Sequence, residues 1–114
     1  MHELGIIVHI SKTLDEVAKE NQVSRIESVT LEIGEVSGIV NDYLTECWEY
    51  YRKKNPMIAD STMIIEQIPA VTFCEDCKKT YETVKYGKTC PYCASGNTYL
   101  VQGDECNIKE ISAC

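Results

Sequence analysis

The sequence predicts an α+β fold: a small sheet of about three strands packed by two helices, with an inserted zinc-ribbon-like domain. Three observations support this class. An amphipathic repeat occupies the amino-terminal region, β-branched residues cluster at 28–34 and 62–68, and two C-x-x-C motifs lie between residues 74 and 93. The chain has 114 residues, 44% of them hydrophobic, which suits one compact domain with a metal-stapled insert.

The first helix is predicted over residues 4–22. Apolar side chains recur there every three or four positions, and charged side chains occupy the other faces. The repeating apolar residues are Leu4, Ile7, Ile10, Leu14 and Val17. Residues 28–34 then alternate, which predicts a half-buried strand with Val29, Leu31 and Ile33 facing the core and Thr30 and Glu32 facing away.

A second helix is predicted after the turn-like sequence at residues 34–38. Ser37 or Asn41 is expected to cap it, and Asn55-Pro56 to end it. Its predicted buried stripe consists of Leu44, Cys47, Trp48 and Tyr51. Residues 62–68 are apolar on both faces, which favours a central strand, and residues 105–113 predict a third strand of the same sheet.

Net charge is distributed unevenly along the chain. Eleven basic and 18 acidic residues leave −7, which opposes binding to phosphate backbones. Residues 1–69 carry −6, residues 70–102 carry +1 and residues 103–114 carry −2. We therefore predict an α/β domain of residues 1–69, completed by a C-terminal strand in 103–114, and a zinc-binding domain of residues 70–102.

The strongest motif is the pair of knuckles Cys74-x-x-Cys77 and Cys90-x-x-Cys93, with 12 residues between them. Two knuckles supply four thiolates in a tetrahedron around Zn²⁺, and the intervening residues are expected to form a short hairpin. A closed thiolate shell leaves no position for a substrate, so the zinc is predicted to be structural. Two disulfides or a thioredoxin-like redox pair are the competing interpretations.

The other cysteines carry weaker expectations. Cys47 and Cys106 are predicted as small core residues and Cys114 as a passive terminal thiol. The seven cysteines have no secretory leader before them, which favours a reducing cytoplasm. No apolar run reaches the roughly 18 residues of a membrane span.

A second metal motif is the amino-terminal tripeptide Met1-His2-Glu3. The α-amine, the following backbone nitrogen and the His2 imidazole can close fused chelate rings around Ni²⁺ or Cu²⁺, which favour planar nitrogen coordination. The Glu3 carboxylate adds an oxygen or balances charge. Taken alone this motif is weak, since a histidine after the initiator is usually just exposed. His9 lies roughly 10 Å further along the helix and is predicted as a surface or partner-facing residue.

In combination, these features resemble one family over essentially all 114 residues. An initial Met-His-Glu, an aliphatic strand ending in Ile-Gly-Glu-Val-Ser at residues 33–37, and paired C-x-x-C motifs are similar to the HypA family of hydrogenase nickel-incorporation proteins. The resemblance implies a cytoplasmic nickel metallochaperone that loads the large subunit of [NiFe]-hydrogenase together with a GTPase, and in some organisms serves urease.

The resemblance also implies ligands. His2 becomes the essential nickel ligand with the Met1 amine and Glu3 beside it, and the zinc ligands become Cys74, Cys77, Cys90 and Cys93. Some members place an acidic residue after the Gly-Glu-x-Ser turn. This chain has Ile39 and Val40 there and reaches an acidic residue only at Asp42, so no carboxylate ligand is carried over from this segment.

Two other functional classes stay open at this point. A zinc-ribbon interaction module would bind a protein or nucleic-acid partner, although the near-neutral ribbon argues against nucleic acid. A thiol oxidoreductase or zinc hydrolase conflicts with closed thiolate coordination, and the chain carries no Ser/His/Asp set, Gly-rich phosphate loop or H-E-x-x-H motif. We expect no enzymatic turnover, and exchange of the C-terminal strand leaves a homodimer open.

Overall fold

The computed structural model describes residues 3–113, and these residues confirm the predicted α+β class. The elements in chain order are α1 (Glu3–Glu20), β1 (Ile26–Gly34), α2 (Asn41–Arg52), β2 (Thr62–Ile68), β3 (Val71–Cys74), β4 (Thr80–Glu82), α3 (Thr83–Tyr86), β5 (Thr98–Gln102) and β6 (Cys106–Ala113). The strands form two three-stranded sheets with the orders β2-β1-β6 and β4-β3-β5. The predicted return of the C-terminal strand to the first sheet is therefore confirmed.

The first sheet corrects the position predicted for residues 62–68. β1 is the central strand and β2 lies at an edge. Side chains of β2 are exposed or half-buried throughout, with Ile64 45% exposed. β1 is buried at most positions, including Thr30 at 7% exposure, so its prediction as a half-buried strand was also wrong. Composition shows which side chains tolerate burial, whereas strand order decides which are covered.

α1 begins one residue earlier than predicted, and its buried face starts at Glu3. The buried residues are Glu3, Ile7, Ile10, Ser11, Leu14 and Ala18. Leu4, the first residue of the predicted stripe, is 45% exposed. Both stripes repeat every three or four residues, so periodicity alone did not distinguish Glu3 from Leu4 as the first buried position.

α2 packs against α1 and keeps most of the predicted stripe. Leu44, Cys47 and Trp48 are buried, and Tyr51 is half-buried. The Trp48 indole N–H donates a hydrogen bond of 3.2 Å to the Ser61 carbonyl just before β2. The predicted cap was wrong: the N-cap residue is Val40, and it makes no side-chain capping bond.

The described residues divide into two compact units. The first contains residues 3–31, 39–66 and 107–113, and the second contains residues 32–38 and 67–106. Aliphatic side chains and Trp48 fill the first unit's core, whereas Cys74, Tyr81 and Cys90 form the buried cluster of the second. The functional domains expected at 1–69 with 103–114 and at 70–102 stay a prediction. Among the helices described, none has the length and apolar character needed to cross a membrane.

Candidate metal centre

The two C-x-x-C motifs form knuckles of the same backbone geometry. In the first, the Lys78 N–H donates to the Cys74 carbonyl and the Cys74 N–H donates to the Lys79 carbonyl, each at 2.9 Å. The second repeats both bonds at 2.9 Å, from Ala94 N–H to Cys90 and from Cys90 N–H to Ser95. The residue after each second cysteine has positive φ, 63° at Lys78 and 62° at Ala94.

The first knuckle is the turn that connects β3 to β4. These strands pair antiparallel, with Phe73 opposite Thr80, so the turn is held by a hairpin. The short hairpin expected between the knuckles was wrong, because residues 80–86 form β4 and the helical turn α3. β4 finds its partner in β3, before the knuckle, rather than within the intervening segment.

The four sulfur atoms converge on one point. All lie within 4.8 Å of one another, and the Cys74–Cys93 and Cys77–Cys90 sulfur pairs are each separated by 3.6 Å. A tetrahedron with metal–sulfur bonds of about 2.3 Å places its sulfurs about 3.8 Å apart. The donor set therefore fits Zn²⁺, and a fourfold thiolate shell has no open position for catalysis.

Burial and hydrogen bonding shift the pKa values of the Cys90 and Cys93 thiols in opposite directions. Burial opposes ionisation of Cys90, yet the backbone N–H groups of Tyr92 and Cys93 and the neighbouring thiols lower its pKa to about 7. The Tyr92 N–H lies 3.4 Å from the Cys90 sulfur. For Cys93, the Ser95 N–H lowers the pKa, but burial and the other thiols outweigh it and raise the pKa to about 12. Without metal, the Cys90 thiol therefore ionises at lower pH than the Cys93 thiol.

The amino-terminal motif is only partly visible in the structure. Met1 and His2 lie outside the described residues. Glu3 is 7% exposed, and its Oε2 accepts a hydrogen bond of 3.0 Å from the Val40 N–H at the start of α2. The neighbouring Cys47 thiol, followed by burial and the charges of Glu3 and Glu46, raises the pKa of Tyr43. The Glu3 carboxylate therefore bonds the N-cap residue of α2 and contributes to the raised pKa of Tyr43. The Asp42 side chain, by contrast, is exposed.

A family model described as hydrogenase/urease nickel incorporation, metallochaperone, hypA matches residues 1–113. The chain belongs to the HypA family. This family consists of metallochaperones rather than enzymes, in agreement with the predicted absence of turnover. Nickel and a structural zinc ion are the metals of the family, and the four-cysteine cluster is the arrangement that zinc requires.

Individual relatives agree in length as well as in sequence. The hydrogenase maturation factor HypA of Rhizobium leguminosarum bv. viciae is 31% identical over 112 residues, covering 97% of both chains. HypA of Actinobacillus succinogenes is 30% identical over 98% of both chains. The solution structure of the Ni metallochaperone HypA from Helicobacter pylori has a TM-score of 0.73 at 25% identity, covering 99% of this chain and 97% of that one.

Sequence reasoning missed the bridge between the two HypA knuckles. The Asp76 carboxylate accepts hydrogen bonds from the Ser95 hydroxyl and, at 3.4 Å, from the Asn97 side-chain amide. The Glu75 N–H donates to the Asn97 carbonyl at 3.0 Å. The bonds from Ser95 and then Asn97 lower the pKa of Asp76. An acidic residue inside the first motif and a Ser-Gly-Asn sequence after the second were the available signals.

The remaining cysteine and histidine predictions had mixed outcomes. Cys47 is buried as predicted, at 7% exposure. Cys106 is exposed, so its prediction as a core residue was wrong, because it begins an edge strand of the first sheet. Cys114 lies outside the described residues. His9 is exposed on α1, as expected for a surface histidine.

Proposed function

We propose that this HypA-family chain delivers Ni²⁺ during the maturation of [NiFe]-hydrogenase and carries Zn²⁺ as a structural ion. The observation that supports the proposal is the family match over residues 1–113, whose description names nickel incorporation into hydrogenase and urease. Urease is accordingly the second enzyme that we propose receives nickel from this chain. Nickel is cargo here, so the protein binds and releases it without a chemical reaction.

The proposed zinc ligands are the thiolates of Cys74, Cys77, Cys90 and Cys93. Their sulfur separations support this assignment, as does the small buried cluster around them. A segment with so few buried aliphatic side chains gains little free energy from the hydrophobic effect, and metal binding adds the missing stabilisation. The zinc therefore holds the second unit folded and takes no part in nickel chemistry.

The proposed nickel ligands are the Met1 amine and the His2 nitrogens, with Glu3 beside them. Support comes from Glu3, whose buried carboxylate is held against the first residues of α2. A buried anion at this position lowers the cost of placing a divalent cation next to it. Amine and imidazole groups titrate near pH 8 and 6.5, so protons compete with the ion around neutrality and permit its release.

The proposed partners are the GTPase of hydrogenase maturation, which acts with the metallochaperone, and the hydrogenase large subunit, which receives the metal. The proposed compartment is the cytoplasm. Neither nucleic acid nor a membrane has a place in this proposal.

The decisive experiment is calorimetric titration of Ni²⁺ into the untagged, zinc-loaded chain. His2→Ala should abolish specific nickel binding, and two residues added before Met1 should weaken it roughly tenfold by converting the amine to an amide. His9→Ala is the matched control, since it removes an exposed imidazole from α1. Zinc content should be unchanged in all three variants, and affinity should fall between pH 8 and pH 6.

The alternative is a zinc-ribbon interaction module with no nickel role. It would be favoured if the untagged chain bound zinc but showed no saturable nickel binding. Equal nickel affinity in His2→Ala and wild type would overturn the proposed ligands while leaving the zinc assignment intact.

A further inference from the structure

Positive charge in the second unit is concentrated in one short segment. Residues 78–88 contain four lysines and one glutamate, a net charge of +3, whereas the rest of the chain has seven basic and 17 acidic residues. Lys78, Lys79, Lys85 and Lys88 are all exposed. Within residues 3–113, Lys79, Lys85 and Lys88 form no salt bridge, so their charges are available to a ligand.

Two adjoining cavities lie along this segment, with volumes of about 590 and 440 Å³. They share Val71, Glu82 and Lys85 as lining residues, so together they form one groove. We call it the β4 groove, after the strand that contributes to both cavities. Pro69, Ala70 and Val84 make one end apolar, and Tyr86 and Tyr92 line the other end.

Two ammonium groups lie beside the tyrosine end of the β4 groove, where Glu82 supplies one carboxylate. The Lys79 ammonium lies 4.8 Å from the centre of the Tyr92 ring, and the Lys85 ammonium lies 5.5 Å from the centre of the Tyr86 ring. Tyr86 is 43% exposed and Tyr92 is 60% exposed. Aromatic faces hold the two ammonium groups near the groove, where they attract carboxylates.

The floor of the β4 groove is ordered before any ligand arrives. Tyr81 is 6% exposed, and its hydroxyl donates to the Gly87 carbonyl at 2.8 Å. Its ring contacts Tyr86 edge-on, with ring centres 6.1 Å apart. Next to the lining residues Val71, Glu82 and Val84, the hydroxyls of Thr72 and Thr83 are hydrogen bonded at 2.6 Å. Such preorganisation lowers the entropy that binding must overcome.

We propose that the β4 groove binds a short acidic peptide segment of a partner protein. Carboxylates of that segment lie at Lys79 and Lys85, and an adjacent apolar side chain lies against Val71 and Val84. The orientation follows from Glu35, which lines only the apolar end and would repel a carboxylate there, whereas Glu82 lines both ends. The groove adjoins the second knuckle through Tyr92, and the proposal does not depend on the proposed nickel function.

A peptide suits this surface better than a nucleic acid does. Polynucleotide binding depends on many phosphate contacts along a basic track, and its affinity rises with their number. The positive segment covers only residues 78–88 in a chain whose other residues carry −10. A few carboxylates next to an apolar anchor require only the local charge and the groove.

The test uses the full-length, zinc-loaded chain and fluorescence anisotropy. The probe is a labelled, end-capped peptide of two leucines followed by four glutamates, and lysines replace the glutamates in a control peptide. We expect saturable binding of the acidic peptide alone, weakened by added salt. The double variant Lys79→Glu with Lys85→Glu should bind it at least roughly tenfold more weakly.

The matched control is Lys12→Glu with Lys19→Glu, which changes the net charge equally on exposed positions of α1. It should keep nearly full affinity, since the change lies outside the groove. Val84→Asp, at a side chain 64% exposed, places a third carboxylate at the apolar end and should weaken binding severalfold without loss of zinc. Retained zinc content shows that each variant is folded.

Several results would overturn the proposal. They are absence of saturable peptide binding, equal affinity in the groove and α1 double variants, and an unchanged affinity in Val84→Asp. Tighter binding of a single-stranded oligothymidylate than of the acidic peptide would also reject it and assign the surface to nucleic acid.

Discussion

At Glu3, a carboxylate that is 7% exposed accepts a hydrogen bond from the Val40 N–H. The bond satisfies a backbone donor at the N-cap of α2, which has no side-chain cap of its own. The negative charge also lies at the positive end of that helix dipole. The Glu3 side chain therefore contributes to the start of α2, and it is also the carboxylate that we propose lies beside nickel.

Replacing Glu3 by Gln or by Ala separates these two roles. Glu3→Gln keeps an oxygen that accepts the Val40 N–H but removes the charge, so stability should change little while nickel affinity falls. Glu3→Ala should lose the hydrogen bond as well, at a cost of about 1 kcal/mol of unfolding free energy. Chemical denaturation and nickel calorimetry measure the two effects, and identical behaviour of both variants in both assays would contradict this division.

Asp76 links the two knuckles through Ser95 and Asn97. It contributes no thiolate, yet it limits the motion of the loops that carry the thiolates. Groups that orient metal ligands through hydrogen bonds commonly matter to metal affinity nearly as much as the ligands' own geometry.

We expect Asp76→Ala to release zinc to a chelator roughly tenfold faster than wild type. Glu75→Ala is the matched control, because it removes the same charge from the neighbouring exposed position and leaves the Asp76 bonds intact. Release is followed with a colorimetric zinc indicator. Equal rates of zinc release in the two variants would mean that loss of the hydrogen-bonded bridge itself does not accelerate release.

At the scale of elements, a close backbone approach joins the end of β1 to the segment after β5. The Gly34 N–H donates to the Glu105 carbonyl and the Val36 N–H to the Gly103 carbonyl, both at 2.8 Å. A Cβ on Gly34 would lie 2.0 Å from the Gly103 oxygen. Only glycine permits these two chain segments to come together.

Gly103→Ala should therefore destabilise the second unit by at least about 2 kcal/mol. Gly103 has φ of 122°, and an added Cβ would lie 2.5 Å from the Ala70 Cα, so both strain and overlap oppose the substitution. Gly96→Ala is the control, since no atom lies within 4 Å of its added Cβ. Urea denaturation of both variants gives the comparison. Similar midpoints would show that the backbone at Gly103 and Ala70 can move apart with little loss of stability.

At the scale of the whole molecule, the two units gain their stability in different ways. The first unit buries aliphatic side chains of α1, β1 and α2, including fully buried Ile7, Leu14 and Trp48. Each such side chain contributes about 1.5–3 kcal/mol through removal from water. The second unit has a small buried cluster of Cys74, Tyr81 and Cys90, and we propose that metal binding supplies the further stabilisation.

Removal of zinc should consequently unfold one unit and spare the other. In Cys90→Ala, or after chelation, amide hydrogen exchange should become fast across residues 71–102 while α1 and α2 remain protected. Zinc should also dissociate more readily as pH falls, because protons compete for thiolates and the metal requires every thiol ionised. Uniform loss of protection across the chain would show instead that both units fold together.

The sequence alone predicted the main helices and strands, the convergence of four cysteines and the family. Hydrophobic periodicity located α1, α2 and the strands of the first sheet, since burial of one face imposes a local repeat. The spacing of Cys74, Cys77, Cys90 and Cys93 predicted convergent sulfurs, because a knuckle is a local structure. The combination of these motifs with an initial Met-His-Glu resembled the HypA family, to which the chain belongs.

Tertiary structure alone decided properties that depend on distant partners. Whether β1 or β2 is central, and whether Cys106 is buried, depends on strand order, which no local pattern encodes. The Glu3 bond to Val40 and the Asp76 bridge each join residues far apart in the chain. Packing against distant residues also decided that Glu3, rather than Leu4, begins the buried face of α1. Local residue types determine what can be buried or paired, and only packing selects which of those contacts form.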